Sequence, residues 1–448
     1  MIKKFLQSVE NKHCNVVLEP RNENMKTKAI RLHGKNDLRL DEFELPALKE
    51  DEILAKVVSD SLCMSSYKAA KQGADHKRVP NDIAERPVMI GHEFAGEILE
   101  VGKKWQNQFT PGKKFSIQPA LNYKGSLDAP GYSFHYIGGD ATYIIIPNEV
   151  MEMNCLLEYD GEGYFPASLS EPYSCVAGTF HAHYHTNYGS YIHHMGIVEG
   201  GTMAILAGAG PMGLAAIDYI IHCDRKPRLL VVTDISDDRL NRAESLLGKE
   251  EAAKNGIEIN YVNTAKQDDP VAELRSYTMD KGYDDVLVFA PVKPVVEQAD
   301  AILGFDGCLN FFAGPSDPNF KAEFNFYNAH YQFTHIVGTS GGNTDDMVES
   351  LDLMSKDLIN PALLVTHIGG LNSVPETTLN LPNIPGGKKL IYTHLNFDLI
   401  AINDFAEKGT ENPMFADLDE ICKKHNGLWS VEAETHLLEN AEKHGMLL

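Results

Sequence analysis

Three short stretches carry side chains able to hold a metal ion against an oxygen substrate: Cys63 in SLCMSSYKAA, His92 and Glu93 in PVMIGHEFAGEI, and Glu171 in SLSEPYSCVAG. One thiolate, one imidazole and one or two carboxylates form a donor set suited to catalytic zinc, which keeps three protein ligands and leaves a position for water or substrate. The gaps, 29 residues from 63 to 92 and 78 from 93 to 171, do not by themselves bring these groups together. Taken singly, Cys63 reads more readily as a small buried apolar residue, and His92–Glu93 as a turn followed by a surface pair.

A second chemistry lies in TMAILAGAGPMGLAAIDYIIHCDRKPRLLVVTDISDDR, from Thr202 to Arg239. A short apolar run feeds a glycine turn at Gly208, Gly210 and Gly213. A helical segment follows, and a second strand ends at Asp234. That order is the dinucleotide-binding fingerprint in its proper context. Gly210 lets the backbone approach a pyrophosphate, Gly213 lets helix and strand pack closely, and the new helix offers free N–H groups to the phosphates. Pro211 and Met212, between the glycines of the turn, are candidate cofactor contacts with it. Asp234 is placed to bond a ribose 2′-hydroxyl and to repel a 2′-phosphate, which favours NAD over NADP. Ile235 and Arg239 follow in the same loop, and Arg239 with Ser236 offers a 2′-phosphate contact if the loop rearranges.

The elements that must position these groups fall into two styles. From Lys28 the chain shows short strands between Gly and Pro turns (KAIRLHG, DLRLDEFEL, EILAKVVSDS, GHEFAGEILEVG, GKKFSIQP, ATYIIIP), which point to a barrel-like or partly open β domain. Residues 122–140, rich in Gly and Tyr, read as a long loop. From Glu171 strands alternate with helices (IEINYVN, YDDVLVFAP, GCLNFFAG, HIVGTSG), the pattern of a doubly wound parallel sheet. Beyond Asn343 come an amphipathic helix, a polar Pro-rich stretch (SVPETTLNLPNIPGG), a strand in KKLIYTH and an acidic helical tail. The expected division is a first domain over 1–175, a nucleotide-binding domain over 176–342, and a return to the first domain over 343–448. Residues 1 to about 25 read as a polar, helical extension without assigned function.

In order and composition, KAIRLHGKNDLRLDEFELP, the Cys63 loop, GHEFAGEILEVG, SEPYSCV and GAGPMG resemble the zinc-containing medium-chain dehydrogenase/reductase family over roughly residues 26–395. The resemblance implies a GroES-like β-rich catalytic domain, a Rossmann domain and a cleft between them with one catalytic zinc. It implies Cys63 and His92 as zinc ligands, Glu93 as the carboxylate beside or on the metal, and Glu171 as the carboxylate that approaches zinc directly or through water. It gives Ser65 the hydroxyl that passes a proton between substrate and solvent, and puts Lys68 where some members carry a relay histidine. Thr339 and Ser340, within the strand segment HIVGTSG, are further candidate cofactor contacts. Ser66 stands where the family often has an aspartate supporting the histidine. Only Cys155 lies where many members carry a four-cysteine lobe, so no structural zinc is expected.

The closest likeness within the family is to its polyol and ketose branch and to sugar-phosphate reductases acting on L-sorbose 1-phosphate. An L-threonine or other secondary-alcohol dehydrogenase is the alternative within the family. A non-catalytic nucleotide-binding protein is the alternative outside it, disfavoured because such a protein needs no zinc ligands. Lys68, Lys71, Lys77 and Arg78 are candidates for holding a substrate phosphate, or else a solvated helix face. His181, His183, His185, His193 and His194 read as a helix and loop at the domain junction rather than a second metal site.

The totals agree with this reading. The chain has 448 residues, 43% hydrophobic and 23% charged, and a formal net charge of −23 that disfavours a nucleic-acid partner. Seven scattered cysteines suit a reducing compartment. No apolar run nears the roughly 18 residues of a membrane span and the start lacks a secretory h-region, so a cytoplasmic enzyme is expected. By resemblance alone it is a homo-oligomer, dimer or tetramer.

Overall fold

The computed structural model describes residues 25–315 and 317–448. The polar extension before residue 25 lies outside the described residues. The catalytic half is built around the strand Ile53–Leu62, a β-branched run buried along most of its length. It pairs antiparallel with Phe94–Val101, Tyr143–Ile146 and Lys388–Tyr392 within one eight-stranded sheet. A smaller sheet of Lys26–Gly34, Asp37–Glu44 and Val88–Met89 lies alongside. The strand Lys388–Tyr392 comes from the far side of the nucleotide-binding sheet in sequence, so the chain returns to close this half.

Two strand registers do most of the positioning. Asp60 pairs with Phe94, which puts Ser61 opposite Glu93. Leu62 pairs with Lys389, which brings Lys388 beside Cys63. Side chains alternate across a strand, so a one-residue slip in either pairing would turn the polar group to the other face.

The second half is a six-stranded, wholly parallel sheet. Numbered along the chain, its strands Thr202–Leu206, Leu229–Asp234, Glu258–Asn263, Tyr283–Val288, Leu303–Phe311 and His335–Gly338 lie in the order 3-2-1-4-5-6. This is the dinucleotide-binding order, with the crevice at the point where the order reverses. The first two strands, Thr202–Leu206 and Leu229–Asp234, are buried at every position because helices cover both faces. Against them packs the helix Pro211–His222, with Gly210 at its N-cap and Pro211 in the first turn, where a missing N–H is harmless.

Two regions differ from the sequence reading. Cys63 is not within a loop: it is the extended N-cap residue between the strand Ile53–Leu62 and the helix Met64–Gln72. The Pro-rich stretch after Ser373 contains the helix Val374–Asn380, with Pro375 tolerated in its first turn. The tail forms helices Pro413–Lys424 and Val431–Asn440, capped by Asn412 and Ser430, and buries Trp429 in the main core. Among the described residues, no helix is long and apolar enough to cross a membrane.

Candidate active site

The two halves enclose a cleft of about 940 Å³ lined by Cys63, Ser65, Lys68, His92, Glu93 and Glu171 on one side and by the Gly210–Gly213 turn, Thr339 and Ser340 on the other. Ligand atoms of Cys63, His92 and Glu93 lie within 4.8 Å of one another, the one such group among the described residues. Glu171 lines the same cleft without entering that group; the Cys175 thiol approaches its Oε1 at 3.8 Å.

Burial sets the electrostatics. It pushes the His92 imidazole down to about 4, so the ring is neutral at pH 7 and keeps a lone pair for a metal. Ser66 Oγ lies 3.2 Å from His92 Nδ1, so a hydroxyl takes the supporting place where the family often has a carboxylate. Tyr132 Oη lies 3.2 Å from Nε2. Burial raises the Cys63 thiol to about 12 even though Lys388 opposes it. A divalent cation in the pocket is what would make it a thiolate. Burial likewise raises Glu171, to about 8, with the neighbouring Glu93 charge adding to the effect.

Glu93 behaves oppositely. Desolvation pushes its carboxyl up, but the Lys388 ammonium, 2.6 Å from Oε2, and the Ser61 hydroxyl outweigh it and hold the group below its ordinary range. Lys388 was not among the residues the sequence singled out. Glu93 lies 295 positions away from it. The lysine pair opening KKLIYTH is the one signal, since alternation must turn one of the two inward. Tyr132, inside the expected long loop, was missed for the same reason of distance.

On the nucleotide side, a side chain at Gly213 would strike the Gly208 carbonyl, whereas the space around Gly210 is open, as a pyrophosphate approach requires. Asp234 Oδ1 accepts from the Ile235 and Ser236 amides at 2.7 and 3.1 Å and from Arg239 Nη2 at 2.5 Å. The Ile235 side chain is exposed beyond the strand end. Thr339 Oγ1 bonds Thr179 Oγ1 at 2.8 Å, joining the last strand of the sheet to the helix Ser170–Ala182 that carries Glu171. Pro211 and Met212 line the cleft.

Of the four candidate cations, Lys68 and Arg78 line the cleft; Lys71 lies over the Tyr67 ring and Lys77 is exposed. The five junction histidines separate. His181 pairs with Asp346, His185 with Asp285 and the Asp306 carbonyl, His194 with Asn187; His193 stacks on Tyr184, and His183 is buried.

Models of two families match the chain: "Alcohol dehydrogenase GroES-like domain" over residues 49–154 and "Zinc-binding dehydrogenase" over residues 211–356. Mannitol-1-phosphate 5-dehydrogenase of Aliivibrio fischeri is 54% identical over 92% of this chain and 97% of its own length. L-sorbose 1-phosphate reductase of Klebsiella pneumoniae is 50% identical over 93% of this chain and 98% of its own. In fold, the chain is similar to the 2R,3R-butanediol dehydrogenase of Bacillus subtilis, with a TM-score of 0.64 at 22% identity over 82% of this chain and 99% of that one. With the GroES-like and Rossmann halves and the cleft between them, these matches show that the chain is an oxidoreductase of the zinc-containing medium-chain dehydrogenase/reductase family, among its polyol dehydrogenases.

Proposed function

We propose that the protein transfers a hydride between NAD(H) and a hexitol phosphate or its ketose phosphate. The observation that carries this reading is the meeting of Cys63, His92 and Glu93 in the cleft that also holds the open Gly210 turn. The donor set fits zinc: a thiol, a neutral imidazole and a carboxylate, buried together, with His92 oriented from behind by Ser66. Cys63 and His92 would hold the ion, with Glu93 or Glu171 completing the set. When bound, zinc supplies Lewis-acid polarisation of the substrate oxygen.

The chain's own groups do the rest. Lys388 and Ser61 hold Glu93 ionised and fixed. Ser65 lines the cleft two residues after the N-cap Cys63, and its hydroxyl can both give and take the substrate oxygen's proton. Gly210 and the first turn of the helix Pro211–His222 receive the pyrophosphate. Asp234 engages Arg239, leaving the guanidinium less free for a 2′-phosphate and supporting NAD.

The phosphorylated substrate class rests on the two relatives, whose names specify mannitol 1-phosphate and L-sorbose 1-phosphate. Purified protein is expected to contain one zinc per chain and to reduce L-sorbose 1-phosphate or fructose 6-phosphate with NADH. Cys63→Ser should lose both metal and activity while keeping the fold; full activity in a zinc-free Cys63→Ser protein would sink the metal role. A preference of about tenfold or more for NADPH would reverse the cofactor assignment.

A further inference from the structure

We propose that Arg78 and Lys68 form a phosphate subsite in the cleft, which receives the phosphoryl end of the substrate while its reacting oxygen lies at Cys63 and His92. The proposal rests on the functional reading above and adds the residues that make the cleft selective for a phosphorylated sugar.

Charged side chains lining the cleft are Glu93, Glu171, Lys68, Arg78, Lys388 and Lys389. Lys388 is committed to Glu93. Lys389 turns away, its ammonium donating to the carbonyls of Ile384, Pro385 and Gly387 at 3.3, 3.0 and 2.7 Å. That leaves Lys68 and Arg78. Neither has a carboxylate partner among the described residues, in a chain with 63 acidic residues against 40 basic ones. Acids are abundant, yet these two half-buried cations face the cleft without one.

Arg78 is held in a definite pose. Its Cζ lies 5.3 Å from the centre of the Tyr132 ring, and Tyr132 stacks on His76 and touches His92 Nε2 through its hydroxyl. The guanidinium therefore sits over a ring that itself touches the metal group, and its positive charge reaches His92 and Glu171. Its Nε is buried and has no hydrogen-bond partner among the described residues. A buried donor without an acceptor is costly, and a planar fork is the geometry that phosphate oxygens match. Lys68 lies three residues after Ser65 on the helix Met64–Gln72, so the two project from one face, about 5–6 Å apart at Cβ. Ser65 at the reacting oxygen and Lys68 one turn further along fit a substrate with a polar reacting end and an anionic arm. The combined field is visible at His76: burial lowers its imidazole first, and Arg78, Lys77 and Lys68 lower it further.

The test compares L-sorbose 1-phosphate with L-sorbose, both with NADH, in the zinc-loaded wild type, Arg78→Gln, Arg78→Lys and Lys68→Gln. Wild type is expected to favour the phosphorylated ketose. In Arg78→Gln the kcat/KM ratio between the two substrates should fall about 100-fold, mainly through KM. In Lys68→Gln it should fall about tenfold, and Arg78→Lys should recover part of the loss by restoring charge without the fork. Inorganic phosphate, titrated calorimetrically into wild type, should bind, and binding should be lost in Arg78→Gln. A wild type indifferent to the phosphate would overturn the substrate class and the subsite together. A wild-type preference that persists in both Gln variants overturns the subsite alone, as does an equal loss on both substrates.

Discussion

Two glutamates, Glu93 and Glu434, are buried against the same strand, Lys388–Tyr392, and they ionise in opposite ways. Glu93 meets Lys388 at one end of the strand; Glu434 meets Tyr392 at the other. Both are 1% exposed. Glu434, carried by the C-terminal helix Val431–Asn440, accepts from the amides of Tyr164 and Phe165 at 2.6 and 2.9 Å and from the Tyr392 hydroxyl at 3.0 Å. Its hydrogen bonds are complete, yet burial lifts its carboxyl to about 7, with those donors only partly opposing the rise. Glu93 suffers the same desolvation, but a cation stands against it and the net effect is downward. Neutral donors satisfy a carboxylate's geometry, while a full opposite charge is needed to restore the free energy of ionising it in a dry place. The cleft therefore keeps a charged carboxylate, and the tail keeps a carboxyl that titrates near neutrality.

Removing the cation should break this contrast most severely. Lys388→Met in metal-free protein is expected to lose about 3–5 kcal/mol in urea unfolding, because it strands the Glu93 charge. Adding Glu93→Gln should restore most of that loss; an additive double variant would show the pair to be uncoupled. Next in size, Glu434→Ala should cost about 3 kcal/mol by orphaning the Tyr164 and Phe165 amides, read by the same unfolding experiment.

The pH dependence sharpens the comparison further. Glu434 is raised in the folded state, so its contribution to stability is fully present below the ordinary carboxyl range and is lost as pH rises through about 7. Wild type should lose on the order of 2 kcal/mol from this group between about pH 4.5 and 7.5, and Glu434→Gln should flatten that fall. An identical pH profile in the two proteins would remove Glu434 as its source. The smallest effect is expected at Ser66→Ala, where losing the hydroxyl behind His92 should weaken zinc binding about tenfold, measured by chelator competition.

The difference between these regions also marks how far the sequence could be read. The Gly210 turn announces itself locally, because a phosphate turn demands glycines in a set order between strand and helix, whereas Cys63 and the GHE residues stood out only through the order of motifs shared with the family. Lys388 and Glu434 look like ordinary surface charges in their own segments, KKLIYTH and VEAETHLLEN. Glu93 and Lys388 are far apart in sequence, as are Glu434 and the Tyr164 amide, and no local period records such a pairing.

The fold class and the nucleotide turn followed from residue type and order, since each depends on local backbone geometry, and the order of motifs resembling the family named Cys63, His92, Glu93 and Glu171 as candidate ligands. The tertiary structure decided which of them meet. It gathered Cys63, His92 and Glu93 and set Glu171 in the same cleft, and it supplied Lys388 through the register of Lys389 with Leu62. Among the described residues it also left Lys68 and Arg78 without a carboxylate partner in that cleft. Charge compensation acts through space over a few ångströms, and only the packed chain sets those distances.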